Sequence, residues 1–289
     1  MIVVETIEEV RAVHRRYALE TLGLVTTMGY LHQGHLELVR QAKAENGRVA
    51  ATIFVNPKQF GPTEDLSRYP RDLQRDLELL EAEGVEYVYV PTDETMYPTD
   101  FQTVVSVTGI TKYLEGARRP THFDGVTTVV AKLFNIMQPT RAYFGQKDAQ
   151  QVAVVRQMVR DLNFNLEIVV CPTVREADGL AMSSRNKYLS AEQRQAATAL
   201  YRALSSAEAL WRGGERHSDA LRDSMAQVLA TESLARVDYV SAADPDTLRE
   251  AEGEFPPEKG ALLSMAVFFD KTRLIDNFLL TPTDSNQHT

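Results

Sequence analysis

Residues 22–39 read LGLVTTMGYLHQGHLELV, so an apolar run, a turn containing glycines and a helical pattern follow one another. A strand, a glycine-containing loop and a helix start in this order are typical of the ligand-binding edge of an α/β sheet. Helix N-termini bind phosphates because they expose N–H groups and carry a partial positive charge. His32 and His35 lie three residues apart at this junction, where both can face a phosphate chain. The stretch therefore predicts a nucleotide-phosphate site.

The histidine pair has two other interpretations, a metal site and a structural role. Zinc-binding helices carry two histidines four residues apart with a glutamate between them, and no third ligand is apparent in this sequence. Phosphate contacts from His32 and His35 are therefore favoured, and Gly29 and Gly34 allow the backbone to approach such a ligand closely.

Strands and helices alternate through the first part of the chain. A capping box at Thr6 and Glu9 opens the first predicted helix, and Pro70 is placed at the start of another. The predicted strands are 22–28, 48–55, 87–90, 141–144 and 167–171, and the predicted helices are 6–19, 35–45, 70–83, 126–137 and 149–162. This order predicts an α/β, Rossmann-like fold with a doubly wound, mainly parallel sheet.

The pattern changes near Pro172. Two helices are predicted over 191–211 and 218–230, and three strands over 236–242, 261–269 and 273–277, with a hairpin turn within 268–273. We therefore expect a Rossmann-like ligand-binding domain over residues 1–175. A smaller α+β domain over residues 176–289 is expected to end in a polar tail after Leu280.

Composition limits the classes of partner. The chain has 289 residues with a net charge of −9 and a pI of about 5.3, which disfavours nucleic acid. Its single cysteine, Cys171, excludes an intramolecular disulfide and ends an apolar run, where a small buried side chain is expected. The sequence shows no signal peptide and no apolar stretch long enough to span a bilayer, so a cytoplasmic protein without membrane contact is expected.

Polar side chains follow two further predicted strands. Asn56 and Gln59 supply neutral amides suited to a polar uncharged group or a carboxylate, although amide self-capping of an Asn-Pro turn is the alternative. Lys147 and Asp148 follow Gly145 at a helix start, where a cation and a helix-entry carboxylate can meet a ligand. A lysine there is otherwise a solvated surface charge. The carboxyl ends of parallel strands share one edge, so these side chains are expected to converge.

A third polar segment, residues 178–186, reads DGLAMSSRN after the last parallel strand. Two hydroxyls and a guanidinium in a glycine-opened loop suit a mobile phosphate clamp, and a plain interdomain linker is the alternative. Residues 27–29 (TMG), 32–35 (HQGH), 54–57 (FVNP), 144–148 (FGQKD) and 182–186 (MSSRN) together resemble the pantothenate synthetase (pantoate–β-alanine ligase) family of the HIGH-motif nucleotidyltransferase superfamily, over about residues 1–280.

The resemblance implies an enzyme that forms pantoyl adenylate from pantoate and MgATP and then transfers the pantoyl group to β-alanine, releasing AMP and pyrophosphate. It implies catalytic roles for His32, His35, Lys147 and Arg185. ATP binding is implied for Met28, His35, Gly145, Lys147, Asp148, Val174, Met182, Ser183, Ser184 and Arg185. Pantoate binding is implied for Gln59, Gln151, Met28 and Asn56. Asp76 is the candidate for supporting Mg²⁺, which would lie mainly on ATP phosphates, and a homodimer is implied as well.

Three residues depart from the family pattern. Thr26 stands where proline is usual, and Gln33 and Gln146 each replace a common glutamate. The glutamines remove negative charge near a triphosphate and do not oppose ATP binding. The main alternative function is another HIGH-motif nucleotidyltransferase that acts on a small phosphorylated substrate and needs an additional cationic pocket. A non-catalytic nucleotide-binding module is the alternative outside the enzymes, while net charge and the lack of an RNA-binding extension disfavour an aminoacyl-tRNA synthetase.

Overall fold

Six parallel strands form the sheet of the first part of the chain. The computed structural model describes residues 1–17 and 19–282, and in it the strands are β1 (Ile2–Val4), β2 (Leu22–Thr27), β3 (Arg48–Ile53), β4 (Tyr87–Tyr89), β5 (Arg141–Gly145) and β6 (Glu167–Cys171). Their order is β1-β4-β3-β2-β5-β6, and all pairings are parallel. The chain changes direction across the sheet between β2 and β5, which is where such sheets bind ligands at their carboxyl edge.

Helices cover both faces of this sheet. They are α1 (Ile7–Arg16), α2 (Gln33–Glu45), α3 (Leu73–Ala82), α4 (Asp93–Met96), α5 (Leu114–Arg118), α6 (His122–Met137) and α7 (Ala149–Asp161). Leu24 lies in the apolar core with α1, α6 and α7, whereas the next residue, Val25, lies in a second core with α2 and α3. Successive side chains of a strand point to opposite faces, so one buried strand supplies both layers. The α/β, doubly wound fold class is confirmed.

A three-stranded antiparallel sheet and three α-helices are the main elements of residues 175–282. The helices are α8 (Ala191–Ala196), α9 (Ala199–Arg212) and α10 (Ser218–Ala230), and the strands are β7 (Ala235–Ala243), β8 (Ala261–Phe269) and β9 (Thr272–Leu280), in the order β7-β8-β9. Trp211 and Met225 are buried in their common core. The chain divides into two compact units, Met1–Val174 and Arg175–Thr289. The predicted polar tail includes residues 283–289, which lie outside the described residues.

Among the differences from the sequence-based prediction, three have a local cause. The helix placed at Pro70 begins instead after Asp72, whose carboxylate accepts the N–H of Arg75 as a cap. The long helix predicted over 191–211 is interrupted at Ala197 and Thr198, where the Thr198 N–H and hydroxyl both donate to the Gln195 carbonyl. Strand β1 is only three residues long and carries too little alternation to be recognised. In the described part of the chain, no helix combines the length and apolar character needed to cross a membrane.

Candidate active site

Two neutral imidazoles lie at the start of α2. His32 is the N-cap, and its Nδ1 accepts the Gly34 N–H at 3.1 Å, while His35 Nδ1 accepts the His32 N–H at 3.3 Å. The ring centroids are 4.1 Å apart. Because each Nδ1 accepts a hydrogen bond, the proton of each neutral ring lies on Nε2.

Burial keeps both rings neutral. The pKa of His32 is lowered to about 4, mainly by burial and secondarily by the positive charge of Lys147. The pKa of His35 is lowered well below its ordinary value by burial, with smaller contributions from His32 and Lys147. At neutral pH the helix start therefore presents two N–H donors to an anion without a full positive charge of its own.

The turn between β2 and α2 is held by side chains from outside it. Gly29 and Tyr30 have φ angles of 78° and 50°, in the left-handed region. Thr27 Oγ1 accepts the Gly29 N–H at 3.1 Å and donates to the Thr52 carbonyl at 2.8 Å. Both oxygens of Asp76 accept N–H groups of the same turn. The position of Met28 and of the histidines therefore depends on β3 and α3 as well as on the turn itself.

Asn56 and Gln59 form a buried amide pair after β3. Asn56 Nδ2 donates to Gln59 Oε1 and to the Gly125 carbonyl, both at 3.0 Å, and Asn56 Oδ1 accepts the Tyr97 hydroxyl at 2.7 Å. Gln59 Nε2 lies 3.0 Å from the sulfur of Met28. The structure thus brings together the predicted Met28, Asn56 and Gln59. Asn56 itself uses its amide to orient Gln59, and a direct contact with substrate stays a prediction.

Residues before and within α6 hold the backbone of Gln59. His122 Nδ1 is 2.8 Å from the Gln59 carbonyl oxygen, and Arg119 also donates to that oxygen at 3.4 Å. Arg119 makes a two-pronged ion pair with Glu64 at 2.6 and 2.7 Å. The pKa of His122 is lowered to about 4, mainly by burial and secondarily by the positive charge of the adjacent Arg119. Its ring is therefore neutral at pH 7.

Close packing of α6 against the loop that carries Gln59 also supports the position of this residue. A Cβ on Gly125 would lie 2.3 Å from the carbonyl oxygen of Lys58, so glycine is needed for the helix to approach the loop that carries Gln59. The sequence did not identify Tyr97 or Glu64: Tyr97 follows a different strand, and Glu64 lies in the same β3–α3 connection as the amides but forms no recognisable motif with them. Only their hydrogen bonds in the structure identify them.

Lys147 and Asp148 lie in a short 3₁₀ helix, residues 146–148, between β5 and α7. Lys147 Nζ is 3.4 Å from Asp148 Oδ1, and Lys147 is close enough to lower the pKa of both histidines. A Cβ on Gly145 would meet no atom within 4 Å, so the backbone here faces open space. The segments that follow β2 and β5, on either side of the change in chain direction, therefore lie close to each other.

Neighbouring glutamines in α7 have different environments. Gln150 is buried and donates to the carbonyls of Ile110 and Tyr113, so its amide serves the fold. Gln151, the predicted pantoate ligand, is half-buried in the first turn of the helix. A role for Gln151 in binding stays a prediction.

The predicted serine and arginine loop belongs to the second unit. Ser183 caps a 3₁₀ helix, residues 184–188, by accepting the Arg185 N–H at 3.2 Å, and Asn186 Nδ2 donates to the Ala181 carbonyl at 3.0 Å. Ser184 is buried and Met182 is half-buried. Val174, also predicted to bind ATP, is the last residue of the first unit. The ATP-binding roles of these residues stay predictions.

A site for a protein-held metal ion is not found in residues 1–17 and 19–282, where no three His, Cys, Asp or Glu side chains converge. Burial raises the pKa of Asp76, against the opposing effect of its hydrogen bonds from Leu31 and Tyr30. Cys171 is buried as predicted, and burial raises its thiol pKa to about 11, which makes it unreactive at neutral pH.

Comparison with known proteins gives one consistent family. The family model described as pantoate-beta-alanine ligase matches residues 2–279. A protein named pantothenate synthetase from Chloroflexus aggregans is 62% identical over 280 residues, covering 97% of this chain and 100% of that protein. One of the same name from Herpetosiphon aurantiacus is 58% identical with the same coverage.

Solved structures with the same family names are also similar to this chain. The crystal structure of pantothenate synthetase from Thermus thermophilus has a TM-score of 0.92 at 49% identity and covers 98% of this chain and 100% of that one. The pantoate-beta-alanine ligase from Francisella tularensis, described as complexed with beta-gamma ATP and beta-alanine, has a TM-score of 0.80 at 32% identity with the same coverage.

Proposed function

The chain belongs to the pantoate–β-alanine ligase family, and we propose on this premise how its residues carry out the family reaction. The protein is an ATP-dependent ligase that condenses pantoate with β-alanine to pantothenate, releasing AMP and pyrophosphate. The observation that carries this function is the family match over residues 2–279, which spans both units. The chemistry available at the carboxyl edge of the sheet supports it.

Adenylation is the first step. A carboxylate oxygen of pantoate attacks the α-phosphorus of ATP, the bond from that phosphorus to the bridging oxygen breaks, and pyrophosphate leaves. The Nε2–H groups of His32 and His35 are proposed to donate to α-phosphate oxygens, where charge is redistributed in the transition state. Lys147 is proposed to hold the departing pyrophosphate. ATP-phosphate binding is also proposed for Ser183, Ser184 and Arg185, on the strength of the family resemblance.

Pantoate binding is proposed to rest on Gln59 and Gln151, with Met28 shaping the pocket. The amide of Gln59 is neutral and oriented by Asn56, which suits a hydroxyl or a single carboxylate better than a phosphate dianion. A nucleotidyltransferase for a phosphorylated substrate would need cationic side chains in this place. The neutral amide pair therefore favours the hydroxy acid.

The second step is amide formation. The free amine of β-alanine attacks the acyl carbon of pantoyl adenylate, the bond from that carbon to the phosphate oxygen breaks, AMP leaves, and the amine loses a proton. No residue needs to form a covalent bond to substrate in either step, so positioning and electrostatic stabilisation carry the catalysis.

Mg²⁺ is proposed to enter as part of the MgATP substrate. The absence of a convergent acidic or histidine cluster in the described residues fits an ion held mainly by phosphate oxygens and water. A homodimer remains a prediction from the family resemblance, and a cytoplasmic location remains a prediction from the sequence composition.

Substrate dependence tests the function. The purified protein with MgATP should form AMP and pantothenate in equal amounts only when pantoate and β-alanine are both supplied, as followed by chromatography and mass spectrometry. With pantoate alone, labelled pyrophosphate should exchange into ATP, because adenylation can run in both directions and amide formation cannot occur without β-alanine. AMP formed equally well without either substrate would contradict the assignment.

Replacing Gln59 with alanine should weaken pantoate more than ATP. Loss of one or two buried hydrogen bonds to substrate is worth roughly 1.5–3 kcal/mol, so the KM for pantoate should rise about 10- to 100-fold. The KM for ATP should change less than about threefold, because Gln59 is assigned to pantoate and not to the ATP contacts of His32, His35 and Lys147. Gln74→Ala, which removes an exposed amide bonded to Glu78 on α3, is the control. Equal weakening of both substrates would remove the proposed role.

A further inference from the structure

A buried carboxylate from α3 holds the turn that carries the active-site histidines. Asp76 lies in the first turn of α3 and is 1% exposed. Its Oδ2 accepts the Tyr30 N–H at 2.6 Å and its Oδ1 accepts the Leu31 N–H at 2.7 Å. These contacts join segments 46 and 45 residues apart in the chain, so local sequence does not create them.

The turn needs such a partner because of its backbone conformation. Gly29 and Tyr30 both have positive φ angles, and a tyrosine rarely adopts this region without support from its surroundings. The conformation directs two successive N–H groups to one point, which forms a concave anion-binding nest. Here the anion is the carboxylate of Asp76, and a Cβ at Gly29 would lie only 3.0 Å from its Oδ2.

The same helix also holds the carbonyl group of Leu31. Arg75 Nη1 donates to the Leu31 carbonyl at 3.0 Å and lies 3.7 Å from Asp76 Oδ1. Leu31 is therefore bound through its N–H and its carbonyl by consecutive residues of α3. The next residue is His32, whose N–H donates to the ring of His35 and whose ring accepts the Gly34 N–H. A shift of the turn therefore moves both imidazoles.

We propose that Asp76 is a positioning residue for adenylation, which fixes the Gly29–Leu31 turn and thereby places the two imidazole Nε2 donors. The proposal rests on the proposed function of the histidines. It differs from the metal-supporting role expected for Asp76, because both oxygens already accept short hydrogen bonds in a nearly inaccessible position. A magnesium ligand and a backbone clamp give different responses to Mg²⁺ concentration.

Asp76→Asn is the direct test, because it keeps the side-chain volume but turns an NH₂ group toward one of the two N–H donors. A displacement near 1 Å in an active site costs up to about 100-fold in rate. We expect kcat for pantoate-dependent ATP–pyrophosphate exchange to fall about 10- to 100-fold. The KM values for ATP and pantoate, and the Mg²⁺ concentration for half-maximal rate, should stay within about threefold. Hydrogen exchange of the Tyr30 and Leu31 amides should accelerate at least about tenfold.

The control is Asp72→Asn on the same helix. Asparagine preserves the N-cap, and the variant removes one negative charge four residues from Asp76. Asp72→Asn should leave the kinetics of pantoate-dependent ATP–pyrophosphate exchange unchanged. Near-wild-type kcat in Asp76→Asn, or a Mg²⁺ requirement raised at least about tenfold, would overturn the positioning role.

Two further readouts keep the test decisive. If Asp76→Asn fails to fold by circular dichroism, Asp76→Glu is measured instead, because the longer side chain displaces the carboxylate from the Tyr30 and Leu31 N–H groups and keeps its charge. Accelerated hydrogen exchange of those two amides with an unchanged kcat in that variant would overturn the proposal. If the wild-type protein shows no pantoate-dependent exchange, the proposed function fails, while unaccelerated amide exchange in Asp76→Asn would separately show that the clamp is wrong.

Discussion

Lys147→Met is expected to lower pantoate-dependent ATP–pyrophosphate exchange by about 10²- to 10³-fold, the largest catalytic effect among the substitutions considered. Its ammonium lies at the carboxyl end of β5 and is close enough to depress the pKa of His32 and His35. Those imidazoles are neutral, so they cannot replace the lost charge opposite the developing pyrophosphate. Methionine keeps an unbranched side chain that is one atom shorter, and it removes the cation.

Lys43→Met is the matched control for this prediction. Lys43 lies in the last turn of α2, far along the helix from the histidines, and donates to the Glu83 carbonyl. Its variant should retain the wild-type exchange rate. A rate in Lys147→Met within about tenfold of wild type would contradict the proposed role, and a raised pKa of His32 measured by NMR would confirm that the charge was removed beside the ring.

Arg175→Met is expected to destabilise the second unit by about 3–5 kcal/mol, the typical cost of leaving one member of a buried ion pair alone. Arg175 donates to both oxygens of Asp276 at 2.6 and 2.9 Å, and the Asp276 side chain is 1% exposed. The guanidinium also donates to the Gly179 carbonyl and lies 5.1 Å from the centres of the Tyr201 and Phe278 rings. Its removal leaves a buried carboxylate without its cation.

Denaturant unfolding followed by tryptophan fluorescence measures this effect, because the single tryptophan, Trp211, is buried in the core of the second unit. Arg194→Met is the control, since the Arg194–Asp178 pair contacts the same segment but its side chains are 31% and 41% exposed. An exposed pair contributes about 1 kcal/mol or less. Equal destabilisation by both variants would show that burial of the Arg175 pair is not the cause.

Much of the fold could be predicted from the sequence. The strands β2, β3 and β5 are mainly apolar runs in the middle of the sheet, and β6 is an apolar run at its edge. Their helices have clear apolar periodicity, so element types and most boundaries follow from local pattern. The prediction was wrong where a side chain decided the boundary, as at Asp72, where a cap two residues after Pro70 starts α3. Strand β1 escaped recognition because its pairing with β4 is supplied by residues 85 positions away.

For the candidate site, the residue types that suit the substrates could be predicted, but the residues that hold them in place could not. The residue types at His32, Gln59 and Lys147 indicate phosphate and polar-substrate contacts, because each follows a strand at one edge of the sheet. Gln150 and Gln151 are indistinguishable as sequence, yet the first bonds to backbone groups of a neighbouring segment in the structure. Tyr97 and Glu64 carry no sequence signal at all.

The sequence by itself determined the class of fold, the family and the side chains that can meet a nucleotide, because periodicity and motif order are local properties of the chain. Residues 22–39 contain both imidazoles and the helix start that orients them. Only the tertiary structure decided that these imidazoles are neutral, that Asn56 serves Gln59, and that Asp76 holds the turn before His32. Burial and long-range hydrogen bonds set these properties, and both depend on residues that meet only when the chain is folded.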